Sequence, residues 1–166
     1  MGIVNVTLDS FSGDGVGTDV DRAVQMAREF TACGCDIIDI GGESTRPGAR
    51  PVTLDQELER VIPVVRRLAA DVSVPLSVDT SRPEVMKAAA EAGAGMINDV
   101  RALREPGAIA TAFELRLPVC LMHMRGEPAT MQDDPYYEDV VSEVHTFLSE
   151  RLACCQKAGI CRAKVL

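Results

Sequence analysis

Polar side chains stand at the carboxyl ends of several short apolar runs, a position from which they can meet at one site. Asn5, Asp39, Asp79, Asn98 and His123 each lie in or directly after such a run. A carboxylate accepts two N–H bonds side by side, and an amide offers one donor and one acceptor. Asp79 and Asn98 together therefore suit recognition of the donor edge of a flat heterocycle.

Each of these residues also has a structural interpretation. Asp79 could cap a helix that begins near Ser81, and Asn98 could bind turn backbone. His123 could be a hydrogen-bonded residue at the edge of the core, and His145 lies in an amphipathic segment where simple solvent exposure is expected. The convergence of several polar groups on one rim nevertheless favours a functional site.

Two segments between the apolar runs add a different chemistry. The first, residues 7–17 (TLDSFSGDGVG), is rich in Gly, Ser and Asp, as polar loops are. The second, residues 43–49 (ESTRPGA), places Arg46 beside Pro47. A lone arginine in a loop is usually a solvated charge, but a guanidinium also binds phosphate oxygens through two donors. Over the mouth of a barrel, Arg46 would cover an anionic substrate.

The elements that must hold these residues are short apolar runs alternating with longer amphipathic ones. The predicted strands are residues 1–7, 36–40, 75–79, 95–98 and 118–123, with the start of a sixth at 163–166. The predicted helices are residues 21–33, a segment from 53, residues 81–93, 106–115 and about 136–158. Thr53 with Gln56, and Ser81 with Glu84, have the spacing of capping boxes. Pro63 should kink or shorten the second helix.

Five strand–helix units with nearly continuous apolar strands indicate an α/β fold with a parallel sheet covered by helices. A doubly wound sheet and a TIM (β/α)8 barrel both fit this pattern. The segment after the first strand lacks the G-x-G-x-x-G spacing of a dinucleotide-binding sheet. Polar residues on several strand ends favour the barrel, which usually takes about 250 residues. We therefore predict one domain over residues 1–166, a partial TIM barrel of about five βα units plus the start of a sixth strand.

Net charge, hydropathy and cysteine spacing argue against nucleic-acid binding, membrane proteins and disulfide-linked proteins. The net charge of −8 argues against nonspecific binding to nucleic acid or to an anionic membrane, which needs a basic surface. The sequence has no apolar run near the ~20 residues of a membrane span, and its start does not resemble a signal peptide. The six cysteines form no C-x-x-C pair and are predicted to be reduced thiols. These features together predict a cytoplasmic protein.

Several strings, in order along nearly the whole chain, resemble those of bacterial dihydropteroate synthase. They are MGIVNVT, DSFS, IDIGGESTRPGA, SVDTS, INDV, EPGA and LPVCLMHMRGEPATMQ. The resemblance implies a transferase of folate biosynthesis and a sulfonamide target. In that reaction the amine of para-aminobenzoate displaces pyrophosphate from a 7,8-dihydropterin that carries CH2–O–pyrophosphate. Mg2+ is the implied cofactor, because it prefers phosphate and amide or carboxylate oxygens.

The resemblance assigns roles to four residues near the strand ends. Asn5 matches an asparagine that approaches the magnesium and the pyrophosphate. Asp79 and Asn98 match two contacts to the pterin ring. Met122 matches a methionine that lines the pocket.

The resemblance assigns further roles to the two loops. Thr45, Arg46 and Pro47 match a loop that holds the pyrophosphate and forms the aminobenzoate site. Phe11 matches an aromatic residue that packs near the aminobenzoate ring. Arg46 and Asp79 are the two residues expected to take part in catalysis.

The sequence also departs from the family pattern. Leu8 replaces a usual proline, and Gly13-Asp14-Gly15 replaces the usual Asp-Gly-Gly order. The family continues past the position of Leu166 into D-P-G-x-G-F, S-R-K and R-x-H segments, which supply another carboxylate, a lysine, an arginine and a histidine. We therefore expect an N-terminal part of the barrel that is inactive by itself.

Other interpretations remain open at this stage. The family is usually a homodimer built from late helices, so this chain is expected to self-associate in some other way. A noncatalytic partial barrel that acts as a binding or assembly module is one alternative. A pterin-dependent methyltransferase domain is another, since SVDTS and INDV are similar to that class, but ESTRPGA argues against it.

Overall fold

A computed structural model describes residues 1–7, 19–44, 49, 51–128, 130–132 and 135–166 of the chain. Within them the strands are β1 (Gly2–Asn5), β2 (Ile38–Gly41), β3 (Leu76–Asp79), β4 (Met96–Asp99) and β5 (Val119–Leu121). All four pairings are parallel, and the strands lie in the order in which they follow along the chain. This order is that of a barrel, because a doubly wound sheet reverses its order at a switch point.

A helix follows each strand and packs on the outside of the sheet. The helices are α1 (Val20–Ala32), α2 (Leu54–Asp71), α3 (Pro83–Ala92), α4 (Ala108–Leu115) and α5 (Val140–Lys157), followed by a short 3-10 helix (Arg162–Lys164). Helix α1 packs on α2, α2 on α3, and α3 on α4. The predicted α/β architecture of about five βα units is therefore confirmed.

The core lies between the sheet and the helices. One row of paired residues crosses the sheet and is fully buried, each member 0% exposed: Val4, Ile40, Val78, Ile97 and Val119. Side chains alternate between the two faces of a strand. The next residue on each strand therefore points to the concave face, which is where the polar residues of the sequence analysis fall.

The capping box predicted at Thr53 is present, whereas the one predicted at Ser81 is not. Thr53 caps α2, and both hydrogen bonds of the capping box with Gln56 are present. Pro63 does not shorten α2, which runs from Leu54 to Asp71 around it. The predicted capping box of Ser81 with Glu84 is wrong: Arg82 is the N-cap of α3 and makes no side-chain cap bond.

The C-terminal elements differ in detail from the prediction. Val140 is 52% exposed and Val141 is 75% exposed, whereas Phe147, Leu148 and Leu152 farther along α5 pack against the core. The predicted sixth strand is reduced to one parallel bridge, between Val119 and Val165. In the described part of the chain, no helix is long and apolar enough to cross a membrane. All six cysteines are free thiols.

Candidate functional site

A second row of paired residues lines the concave face at the carboxyl ends of the strands. Asn5 pairs with Gly41, Gly41 with Asp79, Asp79 with Asn98, and Asn98 with Cys120. Because neighbouring strands lie ~4.8 Å apart, Asp79 and Asn98 are adjacent, whereas Asn5 stands roughly 10 Å from Asp79. Gly41 has no side chain and so leaves the space between Asn5 and Asp79 open.

This row opens into a cavity of about 910 Å3. The cavity is lined by four of the predicted site residues, namely Asn5, Asp79, Asn98 and Met122. The cavity continues along the concave face to the opposite end of the strands, where Met1, Phe30 and Cys35 line it, so the part beside Asp79 and Asn98 is smaller than this total volume. Met122 is 38% exposed and presents an apolar surface beside the polar row. The parallel sheet therefore brings together residues that are more than a hundred positions apart in sequence.

The carboxyl group of Asp79 stands in an electrostatically unfavourable place. Burial raises its pKa well above the ordinary value, and the carboxylates of Asp39 and Asp99 raise it further. Burial also raises the pKa of the Cys120 thiol, with Asp39 and Asp79 as further causes. A ligand that offers N–H donors to Asp79 would compensate for this arrangement, because such donors stabilise the ionised form.

Asp39 also lines the cavity, although the sequence predicted no role in the site for it. Its side chain is 4% exposed, and its Oδ2 accepts a hydrogen bond of 3.0 Å from Nδ2 of Asn98. A carboxylate can only accept, so this contact fixes the orientation of the Asn98 amide and leaves its oxygen available. Among the described residues, Oδ1 of Asp39 is a buried polar atom without a hydrogen-bond partner. Thr7 Oγ1 and Ser77 Oγ share this property, so it does not by itself mark a ligand site.

Comparisons with known proteins identify the family of this chain. A family model described as pterin binding enzyme matches residues 1–166. The chain belongs to the pterin-binding enzyme family. It is 52% identical to dihydropteroate synthase of Escherichia coli over all 166 of its residues, which make up 59% of that protein.

Solved structures give the same result. A Yersinia pestis dihydropteroate synthase in a sulfonamide drug complex superposes with a TM-score of 0.95 and 50% identity, over 99% of this chain and 60% of the other. A Xanthomonas albilineans dihydropteroate synthase with 4-aminobenzoic acid gives a TM-score of 0.89 and 56% identity, over 99% of this chain and 58% of the other. The chain thus spans about three fifths of the length of these relatives.

Four site residues predicted from the family resemblance lie outside the described residues: Phe11, Thr45, Arg46 and Pro47. His123 is described and contacts two aromatic rings, Tyr137 at 5.9 Å and Phe147 at 5.0 Å between centroids. It therefore belongs to an aromatic cluster after β5. His145 is exposed, as predicted.

The segment after β4 is held by a second buried carboxylate. Asp99 is 0% exposed and accepts from the hydroxyl of Ser81 and from the backbone amides of Arg101 and Leu103. These bonds stabilise the left-handed backbone of Ala102 and Leu103, whose φ values are 53° and 56°. Ser81 binds this carboxylate instead of capping α3, which is why its capping-box spacing was misleading.

The described side chains can be compared with the ligands that a magnesium ion requires. In the described ranges, no group of three or more His, Cys, Asp or Glu side chains could hold a metal ion. Mg2+ in phosphate-transfer sites keeps several waters and is held by one or two carboxylates plus substrate phosphates. Asn5 lines the cavity and has an amide oxygen, a hard donor of the kind that could join such a site.

The raised pKa of Asp79 predicts a gain of stability when its charge is removed. A carboxyl whose pKa is raised by folding contributes stability below the unfolded pKa of ~3.9, and that contribution is lost as pH rises through the folded pKa. Asp79→Asn should therefore raise the melting temperature by about 2–5 °C at pH 7.5 and leave it unchanged near pH 3. Thermal melts at both pH values measure this.

Asp71→Asn is the matched control for that measurement. The hydrogen bond from Arg67 lowers the pKa of Asp71, so removal of this charge should not stabilise the protein at pH 7.5. An Asp79→Asn melt below that of the wild type at pH 7.5 would contradict the account of the Asp79 environment.

Proposed function

We propose that this chain supplies the pterin-binding part of a dihydropteroate synthase active site. The observation that carries the proposal is the pairing of Asp79 with Asn98 over a cavity of about 910 Å3, in a chain of this family. About half of its residues are identical to those of dihydropteroate synthases, which supports this activity over a methyltransferase. The proposed reaction joins a 7,8-dihydropterin bearing CH2–O–pyrophosphate to para-aminobenzoate, in the cytoplasm.

The residues divide the proposed work between the two ends of the substrate. The Asp79 carboxylate accepts N–H bonds from the pterin ring, and the Asn98 amide, oriented by Asp39, binds the neighbouring edge. Met122 contacts the face of the ring. The ring is thereby held with its CH2–O bond fixed relative to the amine that attacks it.

The other residues act on the leaving group and the second substrate. Arg46 donates to the pyrophosphate oxygens, where negative charge develops as the C–O bond breaks. Thr45 assists it, while Pro47 and Phe11 shape the site for para-aminobenzoate. Asn5 would hold Mg2+ against the pyrophosphate, and when bound the ion neutralises charge on the leaving group.

The role of Asn5 can be tested without turnover. In the wild type, Mg2+ should strengthen binding of the dihydropterin pyrophosphate roughly tenfold, because Asn5 would help to hold the ion and the ion would offset the negative charge of the pyrophosphate. Asn5→Ala should remove most of this gain. Isothermal titration with and without Mg2+ measures both, and the same dihydropterin bearing CH2OH, which lacks the pyrophosphate, is the control ligand. An Asn5→Ala variant that keeps the full magnesium effect would refute the assignment.

A further inference from the structure

A buried acidic side chain on α2 lies behind the sheet, outside the cavity. The Glu57 carboxylate is 1% exposed and accepts hydrogen bonds from Oγ1 of Thr80 at 2.6 Å and from Nη1 of Arg82 at 2.7 Å. Burial raises the pKa of Glu57, and the bonds from Thr80 and Arg82 oppose that shift. A buried ion pair is weak evidence of stabilisation, since apolar residues often do as well. The buried pair of Glu57 and Arg82 therefore points to a role other than stability, one that apolar side chains could not fill.

The second arm of Arg82 binds the segment between β2 and α2. Nη2 donates to the carbonyl oxygen of Val52 at 2.5 Å and lies 3.8 Å from Oε1 of Glu43. The same Glu43 oxygen accepts from the backbone amide of Val52 at 3.4 Å. One guanidinium thus contacts both ends of segment 43–52, and Arg60 holds the adjoining carbonyl of Gly42 at 3.1 Å.

We propose that Arg82 is a positioning residue that fixes both ends of segment 43–52 relative to the end of β3. Asp79 ends β3 and Arg82 follows it by three residues, so the same short turn carries the pterin carboxylate and the guanidinium. Segment 43–52 contains Arg46, which takes the pyrophosphate in the proposed function on which this inference rests. Arg82 therefore ties Glu43 and Val52, which flank Arg46 in the sequence, to the turn that follows the pterin contact Asp79.

The fork geometry of the guanidinium is what this role requires. Two Nη atoms bind Glu57 and Val52 at once, whereas a lysine ammonium is a single point that cannot span the same partners. Arg82→Lys keeps the positive charge near the buried Glu57 and so limits the loss of folding stability in the variant. Glu43→Gln leaves Glu57 and its partners intact while it removes the negative charge next to Arg82.

Hydrogen exchange of the 166-residue chain tests the positioning directly. Arg82→Lys should speed exchange of the Val52 amide, which donates to the Glu43 carboxylate, about tenfold, because the tie of this segment to the turn after β3 is weakened. Arg67→Lys is the matched control, since Arg67 pairs with Asp71 on the surface of α2. Unchanged exchange at the Val52 amide in Arg82→Lys would overturn the proposal.

Ligand binding tests the functional consequence. Arg82→Lys and Glu43→Gln should weaken binding of the dihydropterin pyrophosphate roughly tenfold and leave binding of the CH2OH form within twofold, because only the former carries the pyrophosphate that Arg46 binds in the proposed function. In an Arg46→Ala background, Arg82→Lys should have no further effect on the pyrophosphate form. This non-additivity is a signature that a merely structural role would not produce.

The outcomes separate the inference from the proposed function. Equal losses for both ligands, or additive effects of Arg82→Lys and Arg46→Ala, would overturn the positioning role while the chain still binds pterin. If the wild-type chain binds neither ligand, the proposed function fails. The exchange experiment then still decides whether Arg82 fixes the segment.

Discussion

Replacement of Asp79 by alanine is expected to weaken dihydropterin binding by about 2–4 kcal/mol, which is roughly 30- to 900-fold. The substitution removes a charged acceptor and leaves the N–H donors of the ring without partners in a partly buried place. Its neighbour Asn98 cannot replace it, because a neutral amide oxygen, held in place by the bond from Nδ2 to Asp39, does not supply the charge and the two side-by-side acceptors of a carboxylate. Isothermal titration with the CH2OH form isolates the ring contacts from those of the pyrophosphate.

Two further variants make this measurement specific. Asp79→Asn keeps the size of the side chain with one acceptor, so its affinity should fall between those of the wild type and Asp79→Ala. Asp36→Ala is the matched control, because Asp36 is exposed just before β2, at the opposite end of the strands. Loss of the Asp79 charge is expected to stabilise the fold, and a thermal melt of each variant checks that weaker binding does not come from unfolding. Equal affinities of the wild type and Asp79→Ala would refute the pterin site.

Self-association of the 166-residue polypeptide is the second large effect that we expect. Among the described residues β1 pairs only with β2, so its other edge has free backbone groups that can pair with another chain. Ile3 on this strand is 52% exposed, Met1 before it is 56% exposed, and Leu166 near the opposite edge is 68% exposed. Full burial of such a side chain contributes roughly 1.5–3 kcal/mol, and these three have about half of that still to gain.

Light scattering during size-exclusion chromatography tests this expectation. The wild-type polypeptide should form dimers or larger species at micromolar concentration. Ile3→Lys should shift it toward monomer, because a lysine at the edge strand opposes pairing. Val141→Lys is the control, since Val141 is 75% exposed at the start of α5, away from the β1 edge. A stable wild-type monomer with a sharp cooperative melt would contradict this prediction.

The parts of the fold that depend on local patterns were predictable from the sequence. Alternation of short apolar runs with amphipathic segments gave the βα units, and the Thr53 capping box gave the start of α2. The positions of Asp79 and Asn98 followed from one rule, that the carboxyl ends of parallel strands meet at one edge. These features need only neighbours in sequence, or a topology that brings strand ends together.

The parts that depend on distant partners were not predictable in the same way. Asp39 and Asn98 are 59 residues apart, and nothing in either strand signals their hydrogen bond. Glu57 lies between other acidic residues in the sequence LDQELER and reads as one more surface charge, although it is the one that is buried. Ser81 was assigned to a cap, but the buried Asp99 carboxylate is the partner that needs its hydroxyl.

A crystal structure of the chain with a bound 7,8-dihydropterin tests the central claim most directly. We predict that the ring occupies the cavity with its N–H donors about 3 Å from the Asp79 carboxylate and its neighbouring edge at the Asn98 amide. Met122 should lie against the face of the ring. A ring bound elsewhere, for example against the aromatic cluster of His123 and Phe147, with Asp79 and Asn98 untouched, would contradict the account.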